Sequence, residues 1–351
     1  MTSTKSHHTA EGFRNNYPTA ARGSFWRWQR ERWANGMPRM PVGGYHFDLC
    51  KPDIAALHVN RAIPTMTWIG HATFLLQLAG LNILTDPHLT ARASPLRFAG
   101  PQRLVPPAIG LHELPHVDVV ILSHNHYDHL DLATVKHLAR QAGGSPLFLV
   151  PLGLKAWFTG RGIRRVHELD WWDRTSIGPL VFHFVPAQHW SSRTPWDRNK
   201  SLWGGWMVET DGFRFLFVGD TGYSRDFLDI AARFAPIDLA AIPIGAYEPR
   251  WFMQAMHVNP EEAVQIHLDL RARYSVAMHW GTFVLTDEPM DEPPRRLASA
   301  RRAARVSSEA FFVMRHGETR DLHNLMRADA LGQAREAVEQ DKRSDVSIID
   351  R

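Results

Sequence analysis

Short apolar runs separated by turn residues dominate the middle of the chain. Segment 65–69 and Thr73–Leu78 are rich in β-branched and large apolar residues, and Leu81–Thr85 follows a turn at Gly80, which predicts three strands in quick succession. Segment 117–123 (VDVVILS) is a short apolar run bounded by turn signals, the pattern of a buried strand. Leu180–Val185, 239–244 and 275–278 are read as further strands. Segments 206–210 and 213–218 flank Asp211-Gly212, a pair suited to the positive φ of a two-residue turn, so a hairpin is predicted. A helix is predicted from Asn259-Pro260-Glu261-Glu262: Asn caps, Pro fits the first helical position, and the two acids favour the positive end of the helix dipole. Strands alternating with helices, together with hairpins, predict a layered α/β fold with mixed sheets.

The two ends read differently. Residues 1–60 are rich in Pro, Gly and aromatics, with one helical stretch at 24–35 whose arginines alternate with Phe25, Trp26, Trp28 and Trp33. An arm packed on the core is the preferred reading, and a helix lying on a membrane surface is the other. The main domain spans 61–320. Residues 321–351 form a charged, apolar-poor tail, read as one helix followed by disorder.

Composition narrows the chemistry. Cys50 is the sole cysteine in 351 residues, so an intramolecular disulfide is excluded and any metal site must use His and carboxylate. Lys and Arg number 40 against 36 Asp and Glu, spread along the chain, which gives no basic groove and argues against a nucleic-acid partner. With neither a signal-like segment nor a bilayer-length apolar stretch, a cytoplasmic protein is expected, with peripheral contact at a membrane surface.

The central signal is Ser123-His124-Asn125-His126-Tyr127-Asp128-His129, directly after the run VDVVILS. Imidazole and carboxylate are the donors zinc accepts when thiolate is missing. A strand-end loop can turn alternate residues toward two neighbouring ions, so His124 and His126 are assigned to one ion, and Asp128 and His129 to another. His189, Asp220 and His279 each end an apolar run in the same way. His71, between two predicted strands, has two readings, an ordinary structural histidine or a support for the ligands. His137, His167 and His267 are expected on surfaces, and His7 and His8 are expected to have no role. Arg315-His316-Gly317-Glu318-Thr319 looks like a phosphohistidine motif, but too little chain follows it to build that kind of domain.

The spacing His124-x-His126-x-Asp128-His129 with His189, Asp220 and His279 resembles the metallo-β-lactamase superfamily signature. The stretches TWIGHATFLLQ, LSHNHYDHLD, PAQHWSSRT, FVGDTGYSRDF and DLAAIPIGAYEPRWFMQAMHVNPEEAVQIH are similar to the N-acyl-phosphatidylethanolamine-hydrolysing phospholipase D family, over residues 13–320. The resemblance implies a four-layer αββα sandwich and two zinc ions, other divalent metals being alternatives. His124, His126 and His189 would hold one ion; Asp128, His129 and His279 the other, with Asp220 bridging. It further implies a phospholipid substrate contacted by Tyr127 and His257, and a membrane-associated homodimer.

The expected reaction is hydrolysis of a glycerophospholipid phosphodiester to phosphatidic acid and an ethanolamine or N-acylethanolamine, through a water made acidic between two ions. Asp128 and Asp220 are the expected catalytic carboxylates. The nearest alternative keeps the metal chemistry but acts on a lactone or a soluble phosphodiester. A site mouth built from Trp190, Trp251, Phe252 and Met253, with Arg193 and Arg250 offering cations to lipid phosphate, is expected around the centre.

Overall fold

Two seven-stranded sheets stack face to face in the computed structural model, which describes residues 5–19, 23–36, 40–96, 98–323 and 325. The first sheet runs Thr319–Asp321, Thr65–Gly70, Thr73–Leu78, Leu81–Thr85, Val119–Ile121, Leu147–Pro151, Val166–Leu169. The second runs Phe311–Phe312, Ala272–Met278, Ile237–Pro243, Phe213–Phe217, Gly205–Thr210, Leu180–Val185, Arg174–Ile177. Both are mixed. Short links give antiparallel neighbours, as in the hairpins from Thr65 to Thr85. Longer crossovers give parallel ones, as from Leu81–Thr85 through Val119–Ile121 to Leu147–Pro151.

Side-chain alternation along each strand divides the core. Trp68, Phe74, Leu76, Val119 and Ile121 fill the space between the sheets with Phe182, Phe184, Trp206 and Phe215. Their neighbours Ile69, Leu75, Val120 and Leu122 face the other way, onto Val135 and Leu138 of helix Leu132–Leu138 and Phe158 of helix Lys155–Thr159. Helices Asp226–Phe234, Pro260–Asp269 and Glu292–Ala304 supply Phe227, Ile230, Ala263, Val264 and Leu297 to the core at the second sheet. The result is the expected αββα sandwich.

The hairpin at Asp211-Gly212 is present: Thr210 pairs with Phe213, and Gly212 takes a φ of 72°. The buried strand expected over 117–123 is shorter, Val119–Ile121. It ends early because the Ser123 N–H goes to the Asp86 carboxylate at 2.7 Å instead of continuing the ladder. Strands such as Val166–Leu169, Arg174–Ile177 and Thr319–Asp321 carry charged residues and gave no apolar pattern; they lie at or near sheet edges, where charge guards against unwanted pairing. His267, expected on a surface, is buried, with Nδ1 2.8 Å from Ser275 Oγ.

Within the N-terminal stretch, helix Phe25–Asn35 buries Trp28 against Phe252 and ties Trp28 and Arg32 to Asp287, while Trp26 and Trp33 remain 79% and 88% exposed. The tail expected from 321 lies, beyond residue 325, outside the described residues. Among the described residues, no helix is long and apolar enough to cross a membrane.

Helix Pro260–Asp269 starts as the sequence predicts. Asn259 accepts from the Glu262 N–H at 2.9 Å, and Glu262 accepts from the Asn259 N–H at 3.2 Å. Glu262 also takes both bonds of Arg250 Nη2, whose Nη1 donates to the His257 carbonyl at 2.8 Å. The cap therefore fixes the loop that carries His257. Asn259→Ala is expected to lower stability by about 1 kcal/mol in urea unfolding with an unchanged m-value. An unchanged midpoint would show that the cap does not bear on the folded state.

Candidate metal centre

Loops leaving the ends of four strands bring the expected donors together. His124 follows Val119–Ile121, His189 follows Leu180–Val185, Asp220 follows Phe213–Phe217, and His279 follows Ala272–Met278 directly. Space at this end is tight. A Cβ on Gly219, which has a φ of 70°, would sit 2.7 Å from Ser123 Cβ and 2.9 Å from the Gly204 carbonyl, so glycine is required next to Asp220.

The donors fall into two sets. In the first, His126 Nδ1 lies 2.8 Å from His124 Nε2 and 3.3 Å from His189 Nε2. Their proton positions follow from the other ring atoms. Ser123 Oγ gives its proton to Asp86 Oδ2, so at 2.8 Å from His124 Nδ1 it must accept the ring N–H. His189 Nδ1 donates to the Met256 carbonyl at 2.8 Å. Both Nε2 atoms are then bare. Three converging nitrogens hold at most one proton, and that one only if His126 leaves its buried Nε2 bare and unpartnered. Burial keeps all three rings neutral, holding His124 well below its ordinary pKa and His126 and His189 near about 3. Neutral imidazoles with facing lone pairs repel one another and fit a cation placed among them.

The second set is His129, His279 and Asp128, with His71 joining it. His129 and His279 meet at 3.2 Å through their Nε2 atoms. Asp128 Oδ2 is 3.3 Å from both and 3.0 Å from His71 Nε2. Asp220 lies between the sets. Its Oδ1 is 3.2 Å from His279, and its Oδ2 is 3.1 Å from His129 and 3.9 Å from both His124 and His189. Burial opposes a charge on His129, but Asp220, Asp128 and Asp86 outweigh it and hold its pKa well above the ordinary value; His279 is raised likewise, to about 9. Here protons neutralise the carboxylates, and a divalent cation would take over that role.

The seven expected ligands therefore converge. His71 does too, and so does Asp86, which the sequence reading did not single out. Asp86 is fully buried, accepts from His129 Nδ1 at 2.7 Å, and takes the Ser123 backbone and hydroxyl. Its signal was present: like Asp220, it is a carboxylate directly after a buried strand. His71, Asp86 and His279 hold φ angles of 55°, 30° and 62°, a backbone conformation that costs such residues about 1–3 kcal/mol each and concentrates at functional sites.

His257 lines the approach, with Nδ1 4.0 Å from Asp220 Oδ2 and its pKa brought down to about 3 by burial. Tyr127 also faces the cleft and donates its hydroxyl to the Arg193 carbonyl at 2.9 Å. Trp190, Phe252 and Met253 form the expected apolar walls. Trp251 instead packs under Arg27 and beside Gly23. The two arginines are not spare cations for lipid phosphate: Arg193 is bound to the Asn125 and Leu130 carbonyls over the Tyr127 ring, and Arg250 is taken by Glu262. His316 of the RHGET stretch is outside both donor sets, buried and stacked 4.1 Å from Trp68.

Because Asp86 fixes the ring of one ligand directly and of another through Ser123, Asp86→Asn is expected to weaken metal binding by 10- to 100-fold. Competition with a chelator of known affinity measures this, and wild-type affinity in the variant would remove Asp86 from the account.

Residues 81–280 match the Beta-lactamase superfamily domain. The N-acyl-phosphatidylethanolamine-hydrolyzing phospholipase D 1 of Caenorhabditis elegans is 43% identical over 258 residues, covering 70% of this chain and 72% of that protein. An uncharacterized protein of Mycobacterium tuberculosis is also 43% identical, over 257 residues, covering 72% of this chain and 67% of its own. Among solved structures, a possible metal-dependent hydrolase from Veillonella parvula shares the fold at a TM-score of 0.60 and 19% identity, covering 74% of this chain and all of that one. The chain belongs to the metallo-β-lactamase superfamily of metal-dependent hydrolases and, within it, to the N-acyl-phosphatidylethanolamine-hydrolysing phospholipase D family.

Proposed function

We propose that this protein hydrolyses the distal phosphodiester of phosphatidylethanolamine or its N-acylated form, releasing phosphatidic acid and the matching ethanolamine. The observation that carries this reading is the cleft over the metal centre. It has a volume of about 570 Å³; Phe25, Trp28, Trp190, Phe252, Met253, Met256 and Leu285 line its walls, and His126, Asp128, Asp220 and His257 are polar groups within it. Acyl chains suit those walls, and a phosphate suits that polar end. Family membership supports the same substrate class.

Two divalent ions held by the two donor sets would supply an acidic water and positive charge for the phosphate oxygens. The chain's own groups do the rest. Asp128 and Asp220 are held as carboxylates well below their ordinary pKa: burial opposes this, but the surrounding histidines outweigh it, so both remain available as anionic donors. His257 stays neutral and can give one N–H to a phosphate or leaving-group oxygen. Tyr127 donates its hydroxyl hydrogen to the Arg193 backbone carbonyl, so its oxygen presents lone pairs to an amide or ammonium N–H of the head group. Phe25, half exposed, lines the cleft beside the exposed Trp26, an aromatic edge that suits a membrane surface from which the lipid would enter.

Purified, metal-loaded protein is expected to release phosphatidic acid from phosphatidylethanolamine or its N-acyl form in mixed micelles. Tyr127→Phe should retain wild-type metal content and lose about tenfold in kcat/KM, the worth of one hydrogen bond. Fast opening of a lactone or cleavage of a soluble phosphodiester, with every phospholipid left intact, would overturn the proposed substrate class.

A further inference from the structure

The start of the chain is laced to the edge of the metal centre. His7 and His8 place their Nε2 atoms 2.6 and 2.9 Å from the two oxygens of Asp170. The Phe13 N–H donates to the Asn199 carbonyl, Asn16 Nδ2 to Asp226 Oδ1 at 2.9 Å, and the Tyr17 hydroxyl to Asp229 at 2.5 Å. Between these fastenings lies Asn15, and its contacts differ in kind. Its Nδ2 donates to the His189 carbonyl at 3.1 Å, and its Oδ1 accepts the His189 N–H at 3.2 Å. The Oδ1 atom also accepts from Trp203 Nε1 at 3.0 Å, and Trp203 is buried. One side-chain amide thus grips both backbone polar groups of a single residue, as a neighbouring strand would.

That residue lies in irregular chain beyond strand Leu180–Val185, one position after the isolated bridge of Gln188 with Gly222, and its own backbone N–H and carbonyl are met by the Asn15 amide. Its ring is aimed by Nδ1 donating to the Met256 carbonyl, and its backbone is set by Asn15. A ring nitrogen must lie within a few tenths of an ångström of its ideal distance to bind a cation well, so backbone placement bears directly on affinity. We propose that Asn15 is a positioning residue that sets His189 for the ion shared with His124 and His126, so the N-terminal segment completes the metal centre rather than only covering the core. This rests on the two-set reading of the donors.

The test compares two neighbours on the same segment. Asn15→Ala removes the grip on His189, whereas Asn16→Ala removes a fastening to Asp226, which is not among the donors. Wild type and both variants are loaded with zinc, and ion release to an excess of chelator is followed together with the melting temperature of each metal-free protein. Asn15→Ala is expected to release one ion at least tenfold faster than wild type, with the other ion little changed. Asn16→Ala should release both at the wild-type rate, and the metal-free melting temperatures show how far each variant is destabilised apart from its hold on the ions. Asn15→Asp keeps the acceptor for His189 and Trp203 but sets a carboxylate oxygen against the His189 carbonyl; it too should release one ion faster than wild type, and it carries the test if the alanine variant does not fold. Equal release from the Asn15 and Asn16 variants overturns the positioning role while leaving the metal reading intact. A wild-type protein that retains no ion overturns both.

Discussion

His124, His126 and His189 point three ring nitrogens into one space with at most one proton among them, and close beside it His129 and His279 face each other across Asp128 and Asp220. Burial keeps the first three rings neutral, so at most one N–H is present to relieve the repulsion between their lone pairs. The second set carries the opposite imbalance, buried carboxylates whose charge is met only by protons drawn onto His129 and His279. Cations at both places would resolve the two problems together. Much of what surrounds the centre serves to keep these groups from relaxing apart.

The sandwich supplies the rigidity this requires. Sheets buried on both faces end at one rim, and each donor leaves that rim within a few residues of a strand. Asp86 extends the constraint inward: one buried carboxylate ends a strand early, fixes the ring of His129, and through Ser123 fixes the ring of His124. The left-handed backbone at His71, Asp86 and His279 shows where local geometry yields to the site, at a cost the packed sheets can carry. Under the proposed function, the aromatic cleft would set what reaches the centre, its apolar walls suiting acyl chains and its polar end a phosphate.

The legible parts of this arrangement were those encoded locally. The hairpin at Asp211-Gly212 and the cap at Asn259 need only neighbouring residues, and the donors stood out because apolar strands end in His or Asp again and again. Less legible were features that depend on distant partners. Edge strands such as Arg174–Ile177 owe their place to one neighbour and carry polar residues. His267 looked like a surface residue, yet a serine on the following strand satisfies it in the core. His7 and His8 read as terminal residues without a role, but Asp170, far along the chain, holds both. Arg193 and Arg250 read as free cations because sequence cannot show that carbonyls and a glutamate already occupy them.

The direct test of the central claim is a crystal structure of the protein grown with zinc, with anomalous differences collected on both sides of the zinc absorption edge. The account predicts two peaks: one among His124 Nε2, His126 Nδ1 and His189 Nε2, the other among His129, His279 and Asp128, with Asp220 between them. A single peak, or density showing these rings turned apart with no ion between them, would contradict it.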